Sequence, residues 1–218
     1  ILDFVNISNN LFTTTGLDLT QNVLLTYFKA SFNQIESLNI SQNAILTRLI
    51  LDHNLFSGTA ILDQFYTLRL NNDGIYFGEL DVSFNNLSGV VPNYTSLFHL
   101  GTPASTNWTR RFELYINNNN FEFGHFENQH SNYVLATNTY VPTTFTTPVM
   151  SNYWYAPQAK VNTINTINAN AGDPITLTTV VSGAQNHYVW FKDGVQIPGA
   201  PDSPNYVINS VNPCDQGV

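Results

Sequence analysis

Leu46-Thr47-Arg48-Leu49-Ile50-Leu51-Asp52-His53-Asn54-Leu55-Phe56 is the stretch that decides how this chain folds. It carries the frame LxxLxLxxNxL. The LxL pair points inward from a short strand, and the turn that follows leaves backbone groups with no ladder partner. A buried Asn, whose amide both donates and accepts, satisfies them. Upstream, Leu17-Asp18-Leu19-Thr20-Gln21-Asn22 aligns with Leu38-Asn39-Ile40-Ser41-Gln42-Asn43 at an offset of 21 residues, and the match runs on through Leu25/Leu46, Thr26/Thr47, Phe28/Leu49, Ala30/Leu51, Asn33/Asn54 and Ile35/Phe56. So many matches at one offset define an internal repeat.

The frame is also read at Leu2…Val5…Ile7…Asn10…Phe12, Leu25…Phe28…Ala30…Asn33…Ile35, Phe65…Leu68…Leu70…Asp73…Ile75, Phe77…Leu80…Val82…Asn85…Leu87 and Arg111…Leu114…Ile116…Asn119…Phe121. Stacking such units aligns their strands in one parallel sheet and their asparagines in a ladder, each unit burying its apolar edge against its neighbours. Asn10, Asn33, Asn54, Asp73, Asn85 and Asn119 are therefore expected as a structural ladder. Arg111 stands where an apolar residue is expected, and the frame asparagines are unevenly spaced. Residues 88–110 read as an insertion or a degenerate unit.

These residues resemble leucine-rich repeats. The 21-residue offset looks like the compact repeats of bacterial internalin-type surface proteins, whereas Leu80-Asp81-Val82-Ser83-Phe84-Asn85-Asn86-Leu87-Ser88-Gly89-Val90-Val91-Pro92 is similar to the plant receptor motif. The resemblance implies a solenoid over residues 1–124 with a parallel sheet on its concave face. In that frame Phe4, Asn6, Ser8, Tyr27, Lys29, Ser31, Arg48, Ile50, Asp52, Thr67, Arg69, Asn71, Glu79, Asp81, Ser83, Glu113, Tyr115 and Asn117 point from the sheet to solvent. Tyr27, Lys29, Arg48, Ile50, Asp52, Arg69, Asn71, Asp81, Glu113 and Tyr115 are the candidate ligand-binding set. Tyr, Arg and Ile are residue types suited to anchoring an interface, set against the plainer reading of a solvated face.

Beyond Phe121 the repeat gives way to aromatics, Thr and Pro. Residues 125–160 read as a cap over the last repeat followed by a linker, with Tyr153, Trp154 and Tyr155 as an alternative stacking platform for a sugar. From 161 to 218, period-2 alternation and β-branched residues predict strands. Gly172-Asp173-Pro174-Ile175-Thr176-Leu177-Thr178-Thr179-Val180-Val181-Ser182-Gly183, Tyr188-Val189-Trp190-Phe191-Lys192-Asp193-Gly194-Val195-Gln196-Ile197 and Asn205-Tyr206-Val207-Ile208 resemble strands A′ to E of an immunoglobulin-like domain. That resemblance implies a core containing Leu177 and Trp190, a tight turn at Lys192-Asp193-Gly194 and a sandwich truncated before its last two strands. The B-strand cysteine is absent, with Thr179 near its place.

Composition narrows the function. The 218 residues are 43% hydrophobic and only 10% charged, with 7 Lys+Arg against 15 Asp+Glu and a net charge of −8. Such a chain folds but has no basic stripe to neutralise phosphates, so no nucleic-acid partner is expected. No run approaches the roughly 18 apolar residues of a membrane span. The start, Ile1-Leu2-Asp3-Phe4, is neither an initiator Met nor a signal peptide, and the chain reads as a fragment. Its single cysteine, Cys214, forms no intrachain disulfide and is assigned no role.

Five sequons, at Asn6, Asn39, Asn86, Asn93 and Asn107, match what chance gives in a chain this rich in Asn, Ser and Thr. His125 and His130 with Glu127 between them fit no zinc spacing. Nucleophile-elbow, zincin, phosphate-loop and dinucleotide motifs are missing from the sequence, and its carboxylates form no recognisable acid/base pair. No catalytic residue, metal or cofactor is expected. The fold class is mainly β: a leucine-rich repeat solenoid followed by a truncated immunoglobulin-like β-sandwich. The two-module order resembles secreted or surface-attached bacterial proteins of Bacteroidetes type. It implies a non-enzymatic binding or adhesion segment, extracellular or at the cell surface, with a protein ligand or a glycan on the concave face. Two alternatives are the ectodomain of a plant-like receptor kinase and a carbohydrate-targeting region of a secreted hydrolase.

Overall fold

A computed structural model describes residues 2–71, 77–94, 111–138, 149–160 and 165–215. Strands outnumber helices, and the chain separates into two compact units, Ile1–Ala159 and Lys160–Val218.

The first unit is built on a parallel sheet of six strands: β1 (Phe4–Asn6), β2 (Tyr27–Lys29), β3 (Arg48–Ile50), β5 (Phe77–Asp81), β7 (Arg111–Tyr115) and β8 (Val149–Trp154), adjacent in that order. Two further short strands, β4 (Ser57–Gly58) and β6 (Asn86–Leu87), pair in parallel with each other. Two helices, α1 (Ala60–Leu70) and α2 (Glu127–Asn138), occupy connections between strands of the large sheet. Paired residues lie 21 apart between β2 and β3 (Tyr27↔Arg48), then 31 (Arg48↔Glu79), 34 (Glu79↔Glu113) and 39 (Glu113↔Asn152). From β2 onward the connections thus lengthen along the chain, and the pairing of β7 with β8 shifts register between Phe112 and Glu113.

The alternation in the LxL pairs sends one face inward. Phe28, Ala30, Leu49, Leu51, Leu80, Val82, Leu114 and Ile116 are all fully buried in one apolar cluster. Apart from Ala30, each such side chain withdrawn from water contributes about 1.5–3 kcal/mol before conformational entropy is counted. Beside them runs the asparagine ladder. Asn54 Nδ2 reaches the carbonyls of Ala30 (2.8 Å), Leu51 (3.1 Å) and Asp52 (3.3 Å), while its Oδ1 accepts from Ile35 N–H (3.0 Å). Asn33, Asn85 and Asn119 repeat this pattern, their Oδ1 atoms accepting from Phe12, Phe56 and Leu87. Asn10 holds only the carbonyls of Ile7 and Ser8 and is exposed. Asp73 lies outside the described residues, as do residues 95–110 of the expected insertion.

Two expectations are corrected here. Phe65…Leu68…Leu70 is no strand but part of α1, because i, i+3 spacing suits a helix as well as the repeat frame. Ile61, Leu62, Phe65 and Leu68 form its buried stripe. And residues 125–160 are more than cap and linker: β8 is the sixth strand of the sheet. Gln158 continues the ladder there, its Oε1 accepting from Asn119 N–H (3.0 Å) and its Nε2 donating to the carbonyls of Ile116 (3.0 Å) and Tyr155.

The second unit pairs β9 (Ile175–Thr178) with β12 (Asn205–Ile208), antiparallel, and β10 (Phe191–Lys192) with β11 (Val195–Gln196) as a hairpin. Asp193 and Gly194 both have positive φ, 50° and 79°, as a two-residue turn matching strand twist requires. Trp190 lies 5.6 Å from the Tyr206 ring and donates from Nε1 to Ser203 O (3.1 Å). Leu177 and Trp190, expected as core, are only half-buried.

Candidate binding surface

Residues that flank the inward-facing positions on each strand form the sheet's open face. Register places them in rows: Phe4, Tyr27, Arg48, Glu79, Glu113 and Asn152 in one, then Asn6, Lys29, Ile50, Asp81, Tyr115 and Trp154. Ser31, Asp52, Ser83 and Asn117 follow at the strand ends. Of the ten candidate residues, eight therefore share this face: Tyr27, Lys29, Arg48, Ile50, Asp52, Asp81, Glu113 and Tyr115. Ile50 was expected to be accessible, yet it is 5% exposed while standing outside the core cluster, so neighbours on the open face cover it.

The other two are displaced. Arg69 sits in the last turn of α1 and Asn71 caps that helix, so neither belongs to the sheet. Burial pulls the Arg69 guanidinium down to about 10. Trp154, exposed at 57%, and Glu79 take their place on the face. The sequence offered Trp154 only as part of a sugar platform and not as a residue of this face, because Tyr153, Tyr155 and Gln158 stand where Leu, Leu and Asn were sought. The sugar-platform reading loses two of its three rings. Tyr153 and Tyr155 stack on one another (5.0 Å between centroids) and pack against the core beside His130, whose ring lies 4.6 Å from Tyr155.

Chemically the face is graded. At the β1 end, Phe4 and Tyr27 lie 4.6 Å apart, and the Arg48 guanidinium sits 4.7 Å over the Tyr27 ring while its Nε bonds Glu79 Oε2 at 2.5 Å. The centre is acidic. Asp81 accepts from the Ser83 hydroxyl (2.6 Å) and N–H (3.0 Å), Glu113 accepts from Tyr115 Oη (3.0 Å), and Asp52 is bonded by Ser31 Oγ and by His53 Nδ1 (2.9 Å). Burial, opposed by the Ser83 bonds and reinforced by Asp52 and Glu79, raises the Asp81 carboxyl above its ordinary value. Burial and then Glu113 raise the Tyr115 hydroxyl in the same way. Tyr115 and Trp154, 6.4 Å apart, border the far side.

Sequence reading also missed a ridge along the strand ends. The residue before each ladder asparagine has positive φ: Asn9, Phe32, His53, Phe84 and Asn118, at 53° to 58°. This geometry places Phe32, His53 and Phe84 in one stack, with centroids 4.0 and 4.1 Å apart and planes within 14°. Phe32 and Phe84 are 51% and 44% exposed.

Ser31, Asp52 and His53 make no nucleophilic relay, since Ser31 and His53 both bond the carboxylate. Among the described residues no group of three or more His, Cys, Asp or Glu is placed to hold a metal ion, and no helix is long and apolar enough to cross a membrane. Compared with protein-family models, curated proteins and solved structures, the chain finds no match in any of the three.

Proposed function

We propose that the first unit is a leucine-rich repeat solenoid whose open sheet face binds a protein, within a non-catalytic adhesion or recognition segment of a secreted or cell-surface protein. The second unit, read as immunoglobulin-like, serves as spacer or second binding module. The observation that carries this reading is the face itself. Six strands in register present rings, cations and carboxylates side by side, and its aromatic side chains lie at the two ends of an acidic centre. Interfaces concentrate their energy in such aromatic and Arg anchors. A glycan is disfavoured as the main ligand, because Tyr153 and Tyr155 are packed inward and only Trp154 of that trio offers an exposed ring.

The test is to screen the 218-residue chain against arrays of extracellular proteins and of glycans, beside a Tyr27→Ala/Tyr115→Ala variant. The expected result is binding to protein targets that the double variant loses while its unfolding midpoint stays close to that of the parent. Binding confined to glycans, or unchanged in the variant, would overturn the assignment.

A further inference from the structure

We propose that the open face takes an extended, arginine- or lysine-bearing polypeptide segment laid across the strands, its cations over Asp52, Glu79, Asp81 and Glu113 and its stem carbons against the bordering rings. This deepens the reading above and rests on it.

Charge complementarity is the first argument. Among the described side chains of the face, four carboxylates stand beside two cations, Lys29 and Arg48, on a chain whose net charge is −8. Burial first raises the Asp81 carboxyl and the Tyr115 hydroxyl, and neighbouring carboxylates add to both: Asp52 and Glu79 to Asp81, and Glu113, Glu79 and Asp81 to Tyr115. An incoming cation relieves that repulsion.

Arg48 supplies a second argument, since it already does within the chain what an incoming arginine would do. Its guanidinium lies over the Tyr27 ring and is ion-paired to Glu79. Comparable ring-and-carboxylate settings recur farther along the face, with Tyr115 and Trp154 beside Glu113 and Asp81, and the Phe32–His53–Phe84 ridge beside Asp52. A cation near an aromatic ring gains more when water is excluded.

Dimensions select a polypeptide. The acids span β3, β5 and β7, and with their aromatic borders they cross six strands, about 24 Å at ~4.8 Å per strand. About seven extended residues cover that span at ~3.3 Å each. Every second side chain then faces the sheet, and a compact cation reaches neither border.

Three probes decide the matter on the full chain: an octapeptide of alternating Arg and Ser, its Glu/Ser counterpart, and spermine. The Arg/Ser peptide is expected to bind at least about tenfold more tightly than either, with affinity falling as salt rises. Asp81→Asn with Glu113→Gln keeps the hydrogen-bond acceptors and is expected to weaken it about tenfold. Phe32→Asn with Phe84→Asn installs the residue that Asn9 and Asn118 already provide at positive φ, so the fold is kept, and the expected loss is about fivefold. Equal binding of spermine, preference for the Glu/Ser peptide, or indifference to both double variants would overturn the proposal. If the arrays yield a protein target lost on Tyr27→Ala/Tyr115→Ala while the Arg/Ser peptide stays unbound, the cationic segment fails and the binding face stands. If neither array nor peptide binds, both fall.

Discussion

Asn54 shows what one residue does here. Its amide reaches three carbonyls and takes one N–H, all in places where no strand partner is at hand. Asn54→Ala strands those backbone groups at 6% exposure and should cost about 3 kcal/mol of stability, whereas Asn10→Ala, at the exposed end of the ladder, should cost under about 1 kcal/mol. Denaturant midpoints of the two variants check this, and equal losses would deny the ladder its role. Asp81 makes the opposite kind of contribution. Its carboxyl is raised above 3.8 by burial first, so the folded chain holds a proton that the unfolded chain has released. Stability therefore falls as pH rises from the ordinary carboxylate value through the raised one. Asp81→Asn keeps the acceptor for Ser83 and removes the titration. Its stability relative to the parent should be higher at about pH 7 than at about pH 3, as paired denaturation curves would show. A constant difference would refute the linkage.

At the scale of elements, the repeat frame was legible wherever Leu and Asn stood in it and misleading where its spacing coincided with a helix. Leu25 and Leu46, in one row of the frame, and Leu80, in the row of Leu49, announced inward positions, and each is fully buried. Phe65, Leu68 and Leu70 obey the same spacing, yet Ala60, Leu62 and Gln64 around them favour a helix, and tertiary packing chose α1. β8 failed to announce itself because Gln158 does an asparagine's work with a longer arm. The aromatic ridge could not be read either, since stacking of Phe32, His53 and Phe84 depends on register between residues far apart in sequence. These corrections change what mutations mean. Arg69→Glu, which sheet placement would make a probe of binding, puts an anion where burial already penalises a cation. It should lower stability by on the order of 2 kcal/mol and alter ligand affinity only through misfolding, which binding measured well below the unfolding midpoint separates. On β5, a Cβ at Gly78 would meet Phe112 Cδ2 at 2.9 Å, and Phe112 is itself wedged on Tyr94 with centroids 5.1 Å apart. Gly78→Ala should cost roughly 1 to 3 kcal/mol in thermal or chemical unfolding; an unchanged midpoint would mean the ring moves freely.

Across the whole molecule, burial is unequally shared. Every residue of the apolar cluster lies in the first unit, whereas among described residues 165–215 each side chain is half-buried or exposed. The alternation that predicted strands there is real: Ile175 and Leu177 face one way on β9, Tyr206 and Ile208 on β12. Period-2 patterning specifies a face, however, and says nothing of how many layers cover it. Val180, Val189, Phe191 and Val195 remain 55% to 72% exposed. Two-stranded pairs of this kind are marginal in water, so the local opening free energy of the second unit should be small beside that of the first. Amide hydrogen exchange on the intact chain measures the difference. The paired amides of β9 and β12 should exchange on the order of a hundredfold or more faster than those of β2, β3 and the ladder turns, each tenfold corresponding to about 1.4 kcal/mol of opening free energy. Equal protection in both units would mean that the second has a covering layer, and that its stability owes to something other than the four short strands described.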